Sequence, residues 1–284
     1  MKSDAKFLGK EKQFWACVRT ASEFAGYSQR GQSSVLVPKL AEIENAFINT
    51  GMEKRVIAER EGDVSDLMRQ VSLYFEYRAQ VLNDYVEPKL MDAEEAKEVF
   101  TSLKRNLSPS CPLPMNKQKG EKKAPAYLTG IINMLIEANS DGMRCDFDPR
   151  GLTTFIKNGV PIRTLARRVD GAFTSIINPV AIWEIKEYYY TTTFGSRVAD
   201  GVYESLLDGM EIEELRRNED IEVLHYLMVD SHYTWWECGR SYLCRIVDML
   251  HMGYIDEVLF GTEIVERLPG LVQTWVGMEK ERRK

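Results

Sequence analysis

The sequence predicts an α/β protein with a central mixed sheet flanked by helices, preceded by a helical N-terminal region. Three observations carry this expectation. Residues 37–49, 64–86 and 93–107 place apolar side chains at three- and four-residue spacing, with few β-branched runs. Residues 108–125 interrupt that pattern with Pro109, Pro112, Pro114 and Pro125 and with Lys117, Lys119, Lys122 and Lys123. From residue 126 onward, short β-branched and aromatic runs alternate with amphipathic stretches, as in a sheet covered by helices.

In chain order, Thr50-Gly51 and Glu61-Gly62-Asp63 separate the first helices. Residues 1–107 form the helical region. Residues 108–125 form a basic linker or loop, because proline removes backbone donors and neighbouring lysines repel one another. Residues 126–284 form the core. Within it, 127–138 reads as a helix ending at Asn139-Ser140-Asp141-Gly142, and 164–173 supplies a strand around Val169. A second, largely buried strand covers 179–190. Residues 194–217 read as a helix with Ala199, Val202, Tyr203, Leu206 and Met210 on one stripe. A strand at 221–229, a helix at 238–252, a short strand at 257–264 and a closing helix at 271–281 complete the order. No internal repeat is present.

A chain of 284 residues, 44% hydrophobic and 28% charged, can bury a sizeable core and has ordinary globular composition. The charge of -6 argues against a protein that coats nucleic acid by charge alone, but is compatible with an acidic site inside a local basic cleft. The first fifteen residues are charged throughout and lack the apolar stretch of a signal peptide. The best apolar run, 127–136, is too short to span a membrane and contains Thr129 and Asn133, so a cytoplasmic protein without a membrane segment is expected. Cys17, Cys111, Cys145, Cys238 and Cys244 form no CxxC pair. His225, His232 and His251 complete no zinc spacing, which leaves reduced thiols. No GxSxG, P-loop or glycine-rich dinucleotide fingerprint occurs.

The chemistry-bearing stretch is Arg167-Arg168-Val169-Asp170-Gly171, followed by Pro179-Val180-Ala181-Ile182-Trp183-Glu184-Ile185-Lys186. Alternation along a strand puts Glu184 and Lys186 on one face and Trp183 and Ile185 on the other. A carboxylate and an ammonium on an apolar strand are costly unless paired or bound to a metal. Asp170 ends the preceding strand and can return beside Glu184. Two acids and a lysine suit phosphodiester hydrolysis. The acids hold Mg²⁺ through hard oxygen ligands, and the lysine orients or deprotonates water and stabilises developing charge. Glu95-Ala96-Lys97 and Glu121-Lys122-Lys123 share the spacing, but the first lies on a helix and the second in the linker. The competing explanation is a satisfied Glu–Lys pair at a strand end.

Asp170, then Glu184-Ile185-Lys186 on the next strand, then a helix and a further strand, resembles the PD-(D/E)XK nuclease superfamily, which includes the type II restriction endonucleases. Val169 stands where that family usually has proline. The resemblance implies a restriction-endonuclease-like core with Asp170, Glu184 and the Ile185 carbonyl as Mg²⁺ ligands. Lys186 would be the base or water-orienting group. Glu137, at the end of the helix before the first core strand, is either a further metal ligand or a solvated helix-end acid. The implied activity is a Mg²⁺-dependent endonuclease of the restriction type, cutting double-stranded DNA at a specific site as a homodimer. A phage-defence or repair nuclease of the same fold and a non-catalytic nucleic-acid-binding module are the alternatives. Arg163, Arg167 and Arg168 could clamp the DNA backbone or read guanine, and Arg197 could meet a phosphate or form a helix-face salt link. Lys119 and Lys122 belong to either a basic DNA-contacting arm or a solvated linker. Tyr188-Tyr189-Tyr190 continues the strand, and Tyr233-Thr234-Trp235-Trp236 is an interface or a core cap.

Overall fold

The computed structural model describes residues 1–28, 33–53, 56, 58–60, 63–116, 124–191 and 195–284. Helices α1 (Lys12–Ala25), α2 (Leu40–Asn49) and α3 (Asp66–Gln80) pack around Trp15, Val18, Phe47, Met68, Tyr74 and Phe75. The Ser65 hydroxyl caps α3 by accepting from Met68 N at 3.2 Å. A short ladder, β1 (Ala58–Arg60) with β2 (Asp63–Val64), lies between α2 and α3. Past Gln80 the chain continues through a π-helical turn, Val81–Val86, and a 3-10 turn, Glu87–Lys89.

That turn is clamped to the far end of the chain. Thr262 N donates to Lys89 O at 2.9 Å. Gly261 sits at φ 47°, and a Cβ there would lie 1.8 Å from the same carbonyl, so the approach requires glycine. Helix α4 (Ala93–Leu107) begins with a capping box, Asp92 accepting from Glu95 N while Glu95 accepts from Asp92 N. After it, backbone pairing joins two described segments: Asn116 N donates to Ala124 O at 3.0 Å and Ala126 N to Pro114 O at 2.9 Å.

Helix α5 (Tyr127–Asn139) leads into the sheet. Five strands lie in the order β3 (Cys145–Phe147), β6 (Gly171–Phe173), β7 (Ala181–Glu187), β8 (Leu224–Asp230) and β9 (Glu257–Phe260). The first three are antiparallel, whereas β7, β8 and β9 are parallel, so the sheet is mixed as expected. Helix α6 (Ser196–Glu219) crosses from β7 to β8. Helix α7 (Arg240–His251) crosses from β8 to β9, and α8 (Glu263–Arg282) closes the chain. One face packs on α5 and α8 through Ile131, Leu135, Trp183, Leu268 and Trp275. The other packs on α6 and α7 through Val198, Val202, Leu227, Leu243 and Val247. The Trp183 and Trp275 rings stack at 5.7 Å and 11°. Opposite Trp183 stands Gly171, where a Cβ would fall 2.1 Å from the indole.

The structure corrects several expected boundaries. The single strand expected at 164–173 is divided: β5 (Val160–Thr164) pairs with β4 (Thr154–Lys157) in a separate hairpin, and only Gly171–Phe173 joins the main sheet. Helix α8 starts at Glu263 and runs through Pro269. Burial of Ile264, Leu268 and Val272 outweighs the hydrogen bond lost at the proline. Among the described residues, no helix is long and apolar enough to cross a membrane.

Candidate active site

The site forms where the antiparallel half of the sheet meets the parallel half, on β7. The β6–β7 register pairs Gly171 with Trp183, which sets Asp170 opposite Glu184. Two residues on, Lys186 shares Glu184's face. Its ammonium lies 2.9 Å from Glu184 Oε2 and 3.2 Å from Glu204 Oε2 on α6. Asp170 Oδ2 accepts from Ile185 N at 2.8 Å. The structure therefore brings together the three residues singled out from the sequence.

It also adds three that the sequence reading did not place there. Arg167 Nη1 lies 2.9 Å from Glu184 Oε1 and 2.6 Å from Asp208 Oδ2, and its Nη2 lies 3.2 Å from Glu204 Oε2. Glu204 and Asp208 are one turn apart on α6, so both carboxylates face the sheet together. Glu184 and Asp208 are fully buried and Lys186 nearly so. Gly201, one turn earlier, leaves room for the lysine stem: a Cβ there would lie 3.2 Å from Lys186 Cδ. Trp235 Nε1 braces the same residue by donating to Lys186 O at 3.3 Å.

Among the described residues, this cluster gathers four carboxylates, Asp170, Glu184, Glu204 and Asp208, around two cations. The imbalance shows in their proton affinities. Burial, then the charge of Glu184, pushes Asp170 up to about 6 and Asp208 up to about 7. Burial would raise Glu184 as well, but Lys186 and Arg167 hold it below its ordinary value. Burial opposes the charge on Lys186, yet Glu184 and Asp170 outweigh it and raise the ammonium above its ordinary value. Lys186 is thus held protonated.

Other expected residues lie elsewhere. The Glu137 carboxylate binds the Ser110 hydroxyl and accepts from Ser110 N at 3.0 Å, so it fastens the loop after α4 to α5. Arg163 pairs with Glu214 at 2.5 Å and Glu211 at 3.8 Å. Half-buried Arg163 and Arg167 therefore both face α6 carboxylates, whereas Arg168 and Arg197 are exposed. Lys119 and Lys122 lie outside the described residues. Glu187, on the opposite face from Lys186, caps α5 by accepting from Thr129 N and Oγ, each at 3.0 Å. Tyr189 binds Asp230. Trp235 and Trp236 are buried, which makes that aromatic run mainly a core cap.

A cavity of about 780 Å³ opens beside Asp170, between the Pro112–Asn116 strand of the loop and the first turn of α6. Ile185, Glu187 and Tyr188 line it, and so do Arg150 and Arg197. Arg150 carried no signal in the sequence: it is an isolated basic residue between a proline and a glycine.

Residues 91–275, which include every residue of this cluster, match one family. The chain belongs to the family described as Domain of unknown function (DUF7687). Residues 1–85 match a second, described as Domain of unknown function (DUF7690). No curated protein and no solved structure matches the chain. The DUF7687 segment thus holds all five strands of the main sheet, and the DUF7690 segment holds α1 to α3.

Proposed function

We propose that this chain is a Mg²⁺-dependent DNA endonuclease centred on Asp170, Glu184 and Lys186, built on a restriction-endonuclease-like core. One observation carries the reading: an acid at the mouth of β6 faces the Glu-x-Lys pair of β7, and a helix and a parallel strand follow. That order is the one the PD-(D/E)XK resemblance implies. Site-specific cutting of double-stranded DNA by a homodimer is the form of the activity the same resemblance suggests.

The donor set suits magnesium in kind. Asp170, Glu184 and the Ile185 carbonyl offer only oxygen, and Mg²⁺ commonly takes one or two carboxylates and keeps several waters. Buried Asp208 Oδ1 has no hydrogen-bond partner, as an acceptor awaiting a cation would, whereas Glu184 Oε1 already faces Arg167 Nη1 at 2.9 Å. Among the described residues, no three His, Cys, Asp or Glu side chains converge as a ready-made cage. The ion would therefore be held largely through water and would share Glu184 with Arg167. Bound there, magnesium stabilises charge on the phosphate and acidifies a water.

The protein's own groups divide the remaining work. In the metal-free site Glu184 and Asp170 favour the ammonium form of Lys186, the form suited to orienting water rather than to taking a proton. The ammonium orients water and stabilises negative charge developing on the scissile phosphate. Arg167 fixes the Glu184 carboxylate from the α6 side, and Asp170, near neutrality in its proton affinity, faces the open cavity.

The test is digestion of a complex DNA with Mg²⁺ and, separately, with EDTA, followed by sequencing of the ends produced. Wild type should cut only with Mg²⁺, and Lys186→Ala should lower the rate by about 10²–10³-fold. Circular dichroism checks that the variant stays folded. An inert wild type, or equal cutting by Lys186→Ala, overturns the reading. A shared motif at the ends supports the restriction form.

A further inference from the structure

We propose that the cavity beside Asp170 is a track for one strand of DNA parted from its complement, so that duplexes are attacked where their strands have separated. The inference rests on the nuclease reading only in setting the scissile phosphate against Asp170. Its geometry stands apart from that reading.

The size of the cavity comes first. At about 780 Å³ it lies within the range of pockets that enclose a drug-sized ligand, which is the scale of one or two nucleotides and not of a duplex. It is walled on two sides, by the backbone-paired Pro112–Asn116 segment and by the start of α6. An intact duplex lying across those walls would keep its phosphates above Asp170, whereas a single strand can descend between them.

The lining points to the same ligand. Arg150 and Arg197 are exposed at the mouth, and neither guanidinium has an ion-pair partner among the described residues. Of the other arginines near the centre, Arg163 and Arg167 are consumed by α6 carboxylates, and exposed Arg168 is not part of the cavity lining. Two cations are thus left for an anionic backbone. The rings of Phe147, Tyr188 and Tyr190 line the same cavity, the last 40% exposed. Aromatic rings set among basic groups bind single strands without regard to sequence, because every base offers a face for stacking. Deep readout of paired bases would instead need a helix or ribbon projecting into a groove, whereas the start of α6 forms a wall of this cavity.

Binding can be read without catalysis. In EDTA, the affinities of wild type for a fluorescein-labelled oligothymidylate and for a blunt hairpin duplex of equal length are compared by anisotropy over a salt series. The single strand should bind about tenfold more tightly. The Arg150→Ala/Arg197→Ala double variant, altered only at exposed positions, should lose about tenfold of that affinity. Its salt slope should fall by about 0.7 for each phosphate contact removed. Equal or tighter duplex binding, or a double variant with unchanged affinity and slope, overturns the proposal. Rapid Mg²⁺-dependent cutting inside the blunt duplex overturns it too, while leaving the nuclease reading intact. Strand binding through these arginines without cleavage of any DNA does the opposite: the track stands and the nuclease reading falls.

Discussion

Two buried charge clusters in this protein differ in their arithmetic. In the first, Arg78 of α3 donates from Nη1 to both oxygens of Asp248 on α7, each at 3.0 Å. Tyr74 adds a hydroxyl to Asp248 at 2.6 Å, and Ser22 accepts from Arg78 Nη2 at 3.3 Å. One cation meets one carboxylate, and the rings of Phe75 and Tyr27 cover the guanidinium at 4.8 and 5.2 Å. The second cluster sets Arg167 and Lys186 against four carboxylates and leaves Asp208 Oδ1 without a hydrogen bond. Both are buried polar networks of similar residue types. The balanced one carries no excess charge, although buried Arg78 Nε has no hydrogen-bond partner, and it joins two parts of the fold. The unbalanced one retains negative charge that the interior does not neutralise, and such residual charge is where a cation or a proton is taken up.

Breaking the balanced cluster should have the largest effect on stability. Arg78→Met strands Asp248 as a buried charge and should cost about 3–5 kcal/mol in urea denaturation. Adding Asp248→Leu should recover most of that loss. A single-variant loss under about 1 kcal/mol would show that water or rearrangement compensates Asp248 easily.

The unbalanced cluster should respond to pH instead. Asp170 and Asp208 have raised proton affinities in the folded state. Between about pH 4 and 7 the folded protein keeps protons that the unfolded chain has released, so this contribution is present at low pH and is lost as pH rises through about 7. Asp208→Asn removes its share, and the fall in stability between pH 5 and pH 8 should shrink by on the order of 1 kcal/mol. Parallel wild-type and variant curves across that range would mean that Arg167 fully compensates Asp208.

The smallest effect belongs to Glu204, whose side chain is 44% exposed at the edge of the same cluster. Glu204→Gln should change thermal stability by no more than about 0.5–1 kcal/mol, because solvent screens its pairs with Arg167 and Lys186. A larger loss would place Glu204 among the groups on which the cluster depends.

Much of this was readable in the chain and some was not, for identifiable reasons. Glu184 and Lys186 stood out because a strand sorts its residues by parity, and two charges of one parity on an apolar run need a partner. The helical N-terminal region and the mixed sheet followed from periodicity. The place of Arg167 in the cluster is not legible in the chain, because its partners lie 17 to 41 residues on and no local pattern links them. A usable signal did exist on α6, where Asp208 shares the buried stripe of Val198, Val202, Ser205 and Ile212. Strand β3 and the β4–β5 hairpin are three to five residues long, too short to show alternation. Pro269-Gly270 reads as a break, and the helix continues because Ile264, Leu268 and Val272 are buried and Trp275 packs on Trp183 and Phe173.

The balanced pair also bears on exchange of the two matched segments. Arg78 lies in the DUF7690 segment and Asp248 in the DUF7687 segment. The clamp of Lys89 on the Gly261 turn reinforces the seam from the other side of the boundary. A chain in which either segment was replaced by an unrelated one would carry an unmatched buried charge at Arg78 or Asp248. An exchange of segments between residues 85 and 91 would therefore cost stability unless both members of the pair changed together.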